Sequence, residues 1–74
     1  MIIKSKMEKA LNKQANVELN AFYTYLSMSV YFESSFMPGC AHWFKVQSDE
    51  EFKHAMKLNA YILSRGGKVF LTAI

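Results

Sequence analysis

The chain has 74 residues, of which 51% are hydrophobic, and its formal net charge is +3 at pH 7. This length predicts a single domain, residues 1–74, whose small apolar core needs a metal site or oligomerisation to add stability. The only cysteine, Cys40, cannot form an intrachain disulfide, and the nine cations are scattered rather than grouped beside aromatics. We therefore expect neither a disulfide-stabilised secreted domain nor a protein that binds nucleic acid.

The sequence also argues against export and membrane insertion. The first residues, MIIKSKMEK, lack the apolar stretch of a signal peptide. The most apolar window, residues 21–32, is too short to span a bilayer. We expect a cytoplasmic protein with no membrane partner.

The first predicted helix runs from about residue 6 to residue 34. Ser5 and Glu8 have the spacing of a capping box at its start. Apolar and small residues then recur every seven positions, which is typical of an amphipathic helix. One row contains Leu11, Glu18, Tyr25 and Phe32, and its neighbour contains Met7, Gln14, Ala21 and Met28. Aromatic residues between positions 22 and 32 point several ways, so we expect burial on more than one face.

The second predicted helix runs from about residue 38 to residue 65. Pro38 suits its first turn, where no backbone N–H is needed, and Gly66-Gly67 supplies the left-handed backbone that ends it. Residues at alternating three- and four-residue steps form one face of this helix, which is mostly apolar: Ala41, Phe44, Ser48, Glu51, Ala55, Leu58 and Ile62. Residues 66–74 form an extended apolar tail, which we expect a partner or further sequence to cover.

A short link between two long helices predicts an antiparallel hairpin. One partner helix cannot bury several faces of the first helix. The predicted fold class is therefore all-α, with the hairpin forming half of a four-helix bundle that oligomerisation completes.

Three polar residues interrupt the apolar rows. Glu18 lies on a row of the first helix, and Glu51 and His54 lie three residues apart on one face of the second. Glu18 is about 24 Å from the end of its helix, and Glu51 and His54 are about 20 and 24 Å into theirs, so an antiparallel hairpin brings them to one level. Two carboxylates and an imidazole in a bundle suit a transition ion, iron or manganese first. A purely structural polar layer is the alternative.

Two copies of the chain would complete a known arrangement. Di-iron carboxylate bundles use one glutamate from each of two helices and Glu-x-x-His from each of the other two. One chain supplies half of that set, and a second copy related by a two-fold axis would supply the rest. Tyr25, two turns from Glu18 on the same row, can pack in the core or reach the site.

The segment ALNKQANVELNAFYTYLSMSVYFE resembles the first bundle helix of the non-haem ferritins of bacteria and archaea. The segment MPGCAHWFKVQSDEEFKHAMKLNAYILSRGGKV resembles their second bundle helix, including its Gly-Gly exit. The resemblance implies that Glu18 is a terminal ligand of one iron, Glu51 bridges two irons and His54 binds the first iron. It further matches Tyr25 to a tyrosine beside the centre and Glu50 to a ligand of a third iron. The implied reaction is oxidation of two Fe(II) by dioxygen or peroxide, followed by ferric storage.

Ferritins continue with a long crossover and further bundle helices, so the resemblance leaves alternatives. In the first alternative the chain is a half-ferritin, whose dinuclear site forms in a homodimer, in a larger assembly or in a complex with full-length ferritin subunits. In the second it is a truncated ferritin that acts only as a self-associating helical module without catalysis. A peroxide-reducing relative of the rubrerythrin type is a third hypothesis. It is less favoured because such proteins usually add further glutamates and often a Cys-x-x-Cys iron site, and neither feature occurs in this sequence.

Overall fold

The computed structural model describes residues 2–74, which form two α-helices and no strand. Helix α1 spans Ser5–Ser34 and helix α2 spans Pro38–Ser64. They pack side by side in an elongated molecule with principal extents of 50 × 19 × 12 Å. This arrangement confirms the predicted all-α antiparallel hairpin. α1 begins one residue before the predicted start, and α2 ends one residue before the predicted end.

The start of α1 differs from the predicted capping box. Its cap residue is Lys4, and no side chain of the described residues caps this end. Ser5 is already helical, because the backbone N–H of Glu8 donates to the carbonyl of Lys4 at 2.9 Å. The Glu8 carboxylate instead accepts the backbone N–H of Lys68 at 3.3 Å. The capping-box prediction was therefore wrong, since this glutamate contacts the tail rather than its own helix.

Each helix is followed, two residues after its last residue, by a residue with left-handed backbone. After α1 this residue is Phe36 (φ 59°), and after α2 it is Gly66 (φ 76°). The N–H of Met37 then donates to the carbonyl of Phe32 at 2.9 Å, which satisfies one of the last free acceptors of α1. Pro38 opens α2 at the position predicted for it. The three-residue link at 35–37 therefore forces the chain back along α1.

Small residues line the contact between the helices. Four positions of α2, spaced seven residues apart, are buried: Ala41, Ser48, Ala55 and Ile62. The buried positions of α1 are Asn12, Ala15 and Ser29. Two hydroxyls cross the contact, because Ser29 Oγ donates to the Ala41 carbonyl at 2.7 Å and Ser48 Oγ donates to the Phe22 carbonyl at 3.1 Å. Short side chains thus bring the backbone of each helix within reach of a serine hydroxyl of the other.

The rows that carry the acidic residues flank this contact rather than form it. On α1 the half-buried row is Leu11, Glu18, Tyr25 and Phe32, and on α2 it is Phe44, Glu51 and Leu58. Glu18 and Glu51 therefore lie at the edge of the helix pair, where a further element can cover them. Large apolar side chains on other faces, such as Tyr31 (64% exposed) and Trp43 (55% exposed), are uncovered in the single chain. Neither helix in residues 2–74 is long and apolar enough to cross a membrane.

Gly67 lies where the chain leaves α2 and passes the start of α1. A Cβ at this position would lie 2.9 Å from the Cγ2 atoms of both Ile3 and Ile62. Gly39 in the first turn of α2 has no atom within 4 Å of such a Cβ. We expect Gly67→Ala to lower the free energy of unfolding by about 1–3 kcal/mol because of overpacking.

The matched control is Gly39→Ala, which we expect to be neutral or stabilising by up to about 1 kcal/mol because alanine favours the helix. Urea unfolding followed by circular dichroism, at equal chain concentration, measures both variants. Equal stability of the two variants would contradict the close packing around Gly67.

Candidate metal centre

Glu18, Glu51 and His54 come together at the edge of the hairpin. Glu18 projects from α1, whereas Glu51 and His54 project from α2, one turn apart. One ligand atom from each of the three residues lies within 4.8 Å of the other two. Glu18 Oε2 lies 3.6 Å from His54 Nδ1. The antiparallel register thus brings these residues to one level, as the helix lengths predicted.

The three residues differ in their exposure to solvent. The side chain of Glu18 is 17% exposed, whereas that of His54 is 50% exposed. Glu51 is half-buried. The group is therefore open on one side in the single chain, and a cation can reach it without any movement of the helices.

The carboxyl groups of Glu18 and Glu51 perturb each other's pKa, which favours a state with one proton between them. A proton on Glu51 is donated to the Glu18 carboxylate, and this hydrogen bond raises the pKa of Glu51, helped by burial and by the nearby Glu18 charge. The same hydrogen bond lowers the pKa of Glu18, to which Gln14 and the nearby His54 also contribute. Two carboxylates this close cannot both ionise without repulsion. A cation that binds between them removes that repulsion and displaces the proton.

Gln14 positions the carboxylate of Glu18. Its Nε2 donates to Glu18 Oε1 at 2.9 Å from one turn earlier in α1. The bond occupies one carboxylate oxygen and leaves Oε2 turned toward His54. Sequence reasoning placed Gln14 on the neighbouring row and gave it no role. The signal available was its spacing, because a glutamine four residues from a carboxylate can hydrogen-bond to it along a helix.

Neither Glu50 nor Tyr25 is a member of the cluster of three residues. Glu50 Oε2 is 3.9 Å from His54 Nε2, and its side chain is 54% exposed. Tyr25 is half-buried, and its ring packs against Phe44 with centroids 6.1 Å apart. Glu50 thus faces the other nitrogen of the same imidazole, and Tyr25 belongs to the aromatic packing of its row.

Two carboxylates and one imidazole are a suitable donor set for a divalent transition ion of hard or borderline character. Three donors leave coordination positions free for water, for a second ion or for groups from another helix pair. A thiolate site is not indicated, because the three donors are oxygen and nitrogen atoms. The three residues therefore form a candidate metal site that is accessible in the single chain.

Comparison with known proteins identifies the family to which this chain belongs. Residues 8–74 match the profile of the ferritin-like domain. A bacterial non-heme ferritin of Bacteroides fragilis is 46% identical over 66 residues, which are 89% of this chain and 42% of that protein. The ferritin middle subunit of Salmo salar is 45% identical over 69 residues, which are 90% of this chain and 39% of that protein.

A solved structure also matches the hairpin. The open-pore ferritin of the archaeon Archaeoglobus fulgidus superposes with a TM-score of 0.89 at 46% identity, covering 97% of this chain and 44% of that chain. The chain thus spans about two fifths of the length of the curated relatives that it matches. Because the family profile covers nearly all of its residues and the hairpin superposes on a solved ferritin, the chain belongs to the ferritin-like domain family.

Proposed function

We propose that this chain binds Fe(II) as a substrate and contributes to its oxidation at a dinuclear ferroxidase centre linked to iron storage. The convergence of Glu18, Glu51 and His54 from two helices carries the proposal. Oxygen and imidazole donors suit iron. The relatives and the solved structure are named ferritins, which supports the same function. A cytoplasmic location is part of the proposal.

Each clustered residue has a role in this proposal. Glu18 is the terminal ligand of one ion, Glu51 bridges two ions, and His54 binds the first ion through a ring nitrogen. Glu50, on the exposed side of His54, contributes to an additional ion, and Tyr25 lies next to the centre on the row of Glu18. In each turnover two Fe(II) ions lose one electron each. The two electrons, with two protons from water, reduce dioxygen to hydrogen peroxide or hydrogen peroxide to two water molecules.

We further propose that a second helix pair completes the centre. Two copies of the chain related by a two-fold axis provide the six side chains of a di-iron carboxylate bundle. The half-buried rows of Glu18 and Glu51 form the face available for this contact, and the exposed apolar residues outside it favour a larger assembly. The partner is another copy of the chain or the corresponding helix pair of a full-length ferritin subunit.

Replacing His54 tests the ferroxidase function. We expect His54→Ala to lower Fe(II)-dependent oxygen consumption by at least about tenfold, because the first ion loses its nitrogen ligand. His42→Ala is the matched control, since His42 is an exposed histidine of the same helix that is not in the cluster. An oxygen electrode measures both variants. Equal rates for wild type and His54→Ala would exclude the centre.

A self-associating helical module without catalysis is the rival function. The exposed apolar side chains of the hairpin are consistent with this rival. The two hypotheses differ in their dependence on metal. The ferroxidase proposal predicts that anaerobic Fe(II) raises the melting temperature and favours the associated state. Sedimentation velocity and thermal melting with and without Fe(II) measure these effects. Association and melting that are both indifferent to Fe(II) would favour the helical module.

The shared proton of Glu18 and Glu51 predicts how pH affects stability. In the iron-free chain the raised pKa of Glu51 stabilises the fold while Glu51 is protonated, and this contribution is lost as pH rises through that pKa. The lowered pKa of Glu18 has the opposite effect, because its contribution is lost as pH falls through it. The pair is therefore most stabilising in the mildly acidic range between the two, where it holds one proton.

Fe(II) competes with the proton held between Glu18 and Glu51, so the stabilisation that Fe(II) provides must grow as pH rises. We expect the increase in melting temperature caused by anaerobic Fe(II) to be small in the acidic range and larger near neutral pH. Glu51→Gln cannot ionise at this position and should lose most of the increase. An increase that is independent of pH, or unchanged in Glu51→Gln, would contradict the shared-proton arrangement.

A further inference from the structure

The extended tail after α2 is bonded to side chains of α1 that are spaced four residues apart. Alternate backbone N–H groups of the tail, from residue 68 to residue 72, donate to side-chain oxygens of the helix. The three bonds are Lys68 N–H to Glu8 Oε2 (3.3 Å), Phe70 N–H to Asn12 Oδ1 (2.8 Å) and Thr72 N–H to Asn16 Oδ1 (3.0 Å). Three successive bonds of one pattern indicate that this row of α1 side chains forms a regular binding surface for the tail.

The two asparagines also donate to the tail. Asn12 Nδ2 donates to the carbonyl of Lys68 at 2.9 Å, and Asn16 Nδ2 donates to the carbonyl of Phe70 at 2.7 Å. Each asparagine therefore binds one C=O and one N–H two residues apart, as a residue of an adjacent parallel β-strand would. Glu8 only accepts, because a carboxylate has no donor.

The matching repeats of helix and strand explain why this pattern continues. Four residues of an α-helix rise about 6.0 Å, and two residues of an extended chain span about 6.6 Å. Successive side chains of the row therefore meet alternate peptide groups. All of these bonds are made to backbone atoms of the tail, so the row recognises an extended polypeptide backbone rather than particular side chains.

Asn20 is the next residue of the same row, and its amide is held in the same way. The amide Nδ2 atoms of Asn12, Asn16 and Asn20 donate to the carbonyls of Glu8, Asn12 and Asn16 at 3.1, 2.9 and 2.8 Å. These bonds use one N–H of each asparagine and leave the other N–H and the Oδ1 atom. Asn12 and Asn16 use that remainder to bind the tail. Within residues 2–74, no such bond from Asn20 to the tail is formed.

We propose that Asn20 is a further binding position for extended polypeptide backbone, and that it takes the carbonyl of Thr72 and the N–H of Ile74. These are the groups that follow Phe70 C=O and Thr72 N–H at the two-residue step of the pattern. Asn20 lies about 200° around α1 from Glu18. The bound tail therefore runs along the side of α1 away from the candidate metal centre, and the proposal does not depend on the proposed function.

Amide hydrogen exchange of the full ¹⁵N-labelled chain, followed by NMR, tests this proposal. The row predicts alternation, with slow exchange at residues 70, 72 and 74 and fast exchange at residues 69, 71 and 73. Asn20→Ala should speed exchange at Ile74 by about fivefold or more and leave Phe70 unchanged. Asn20→Asp can still accept the Ile74 N–H, as Glu8 accepts that of Lys68, and should keep the slower exchange.

The variants are expected to fold, because Asn20 is exposed and alanine favours the helix. Asn16→Ala serves as the positive control, since it removes an observed bond and should speed exchange at Thr72. Exchange at Ile74 that is as fast as at Ala73, or that is identical in wild type and Asn20→Ala, would overturn the proposal.

Discussion

The placement of two carboxylates side by side is the constraint on which the candidate site depends. Small residues at Ala41, Ser48 and Ala55 let the helices approach closely enough for two serine hydroxyls to bond across the contact. That separation and the antiparallel register put Glu18 beside Glu51 and His54. Like charges at such a distance repel, so a proton or a bound cation stabilises the pair. Packing and chemistry are thus coupled at the same few residues.

The hairpin separates two kinds of surface on α1. One side carries Glu18 and its half-buried row, while Asn12 and Asn16 lie about 120° and 160° away from Glu18 around the helix. The tail is bonded to the asparagine side. The asparagines therefore hold the end of the chain without covering Glu18 and the residues clustered with it. An open ligand face is what completion by a second helix pair requires.

Much of this arrangement could be predicted from the sequence. The seven-residue rows and the Pro-Gly break define the two helices, and counting along them brings Glu18 level with Glu51 and His54. The position of Glu18 at the edge rather than in the core could not be read from periodicity, because its row and the buried small residues repeat with the same period. The role of Glu8 was missed for a different reason: its partner Lys68 lies sixty residues away, and local spacing favours a helix cap.

Counting the Fe(II) bound at equilibrium, under anaerobic conditions, tests the central claim most directly. The proposed dinuclear centre predicts about one Fe(II) per chain, apart from the additional ion assigned to Glu50, in an associated species of at least two chains, since two chains share the two ions of the centre. It also predicts that Glu18→Gln combined with Glu51→Gln removes this binding while the helices remain. Stoichiometric binding that survives the double substitution, or no binding by the wild-type chain, would contradict the account.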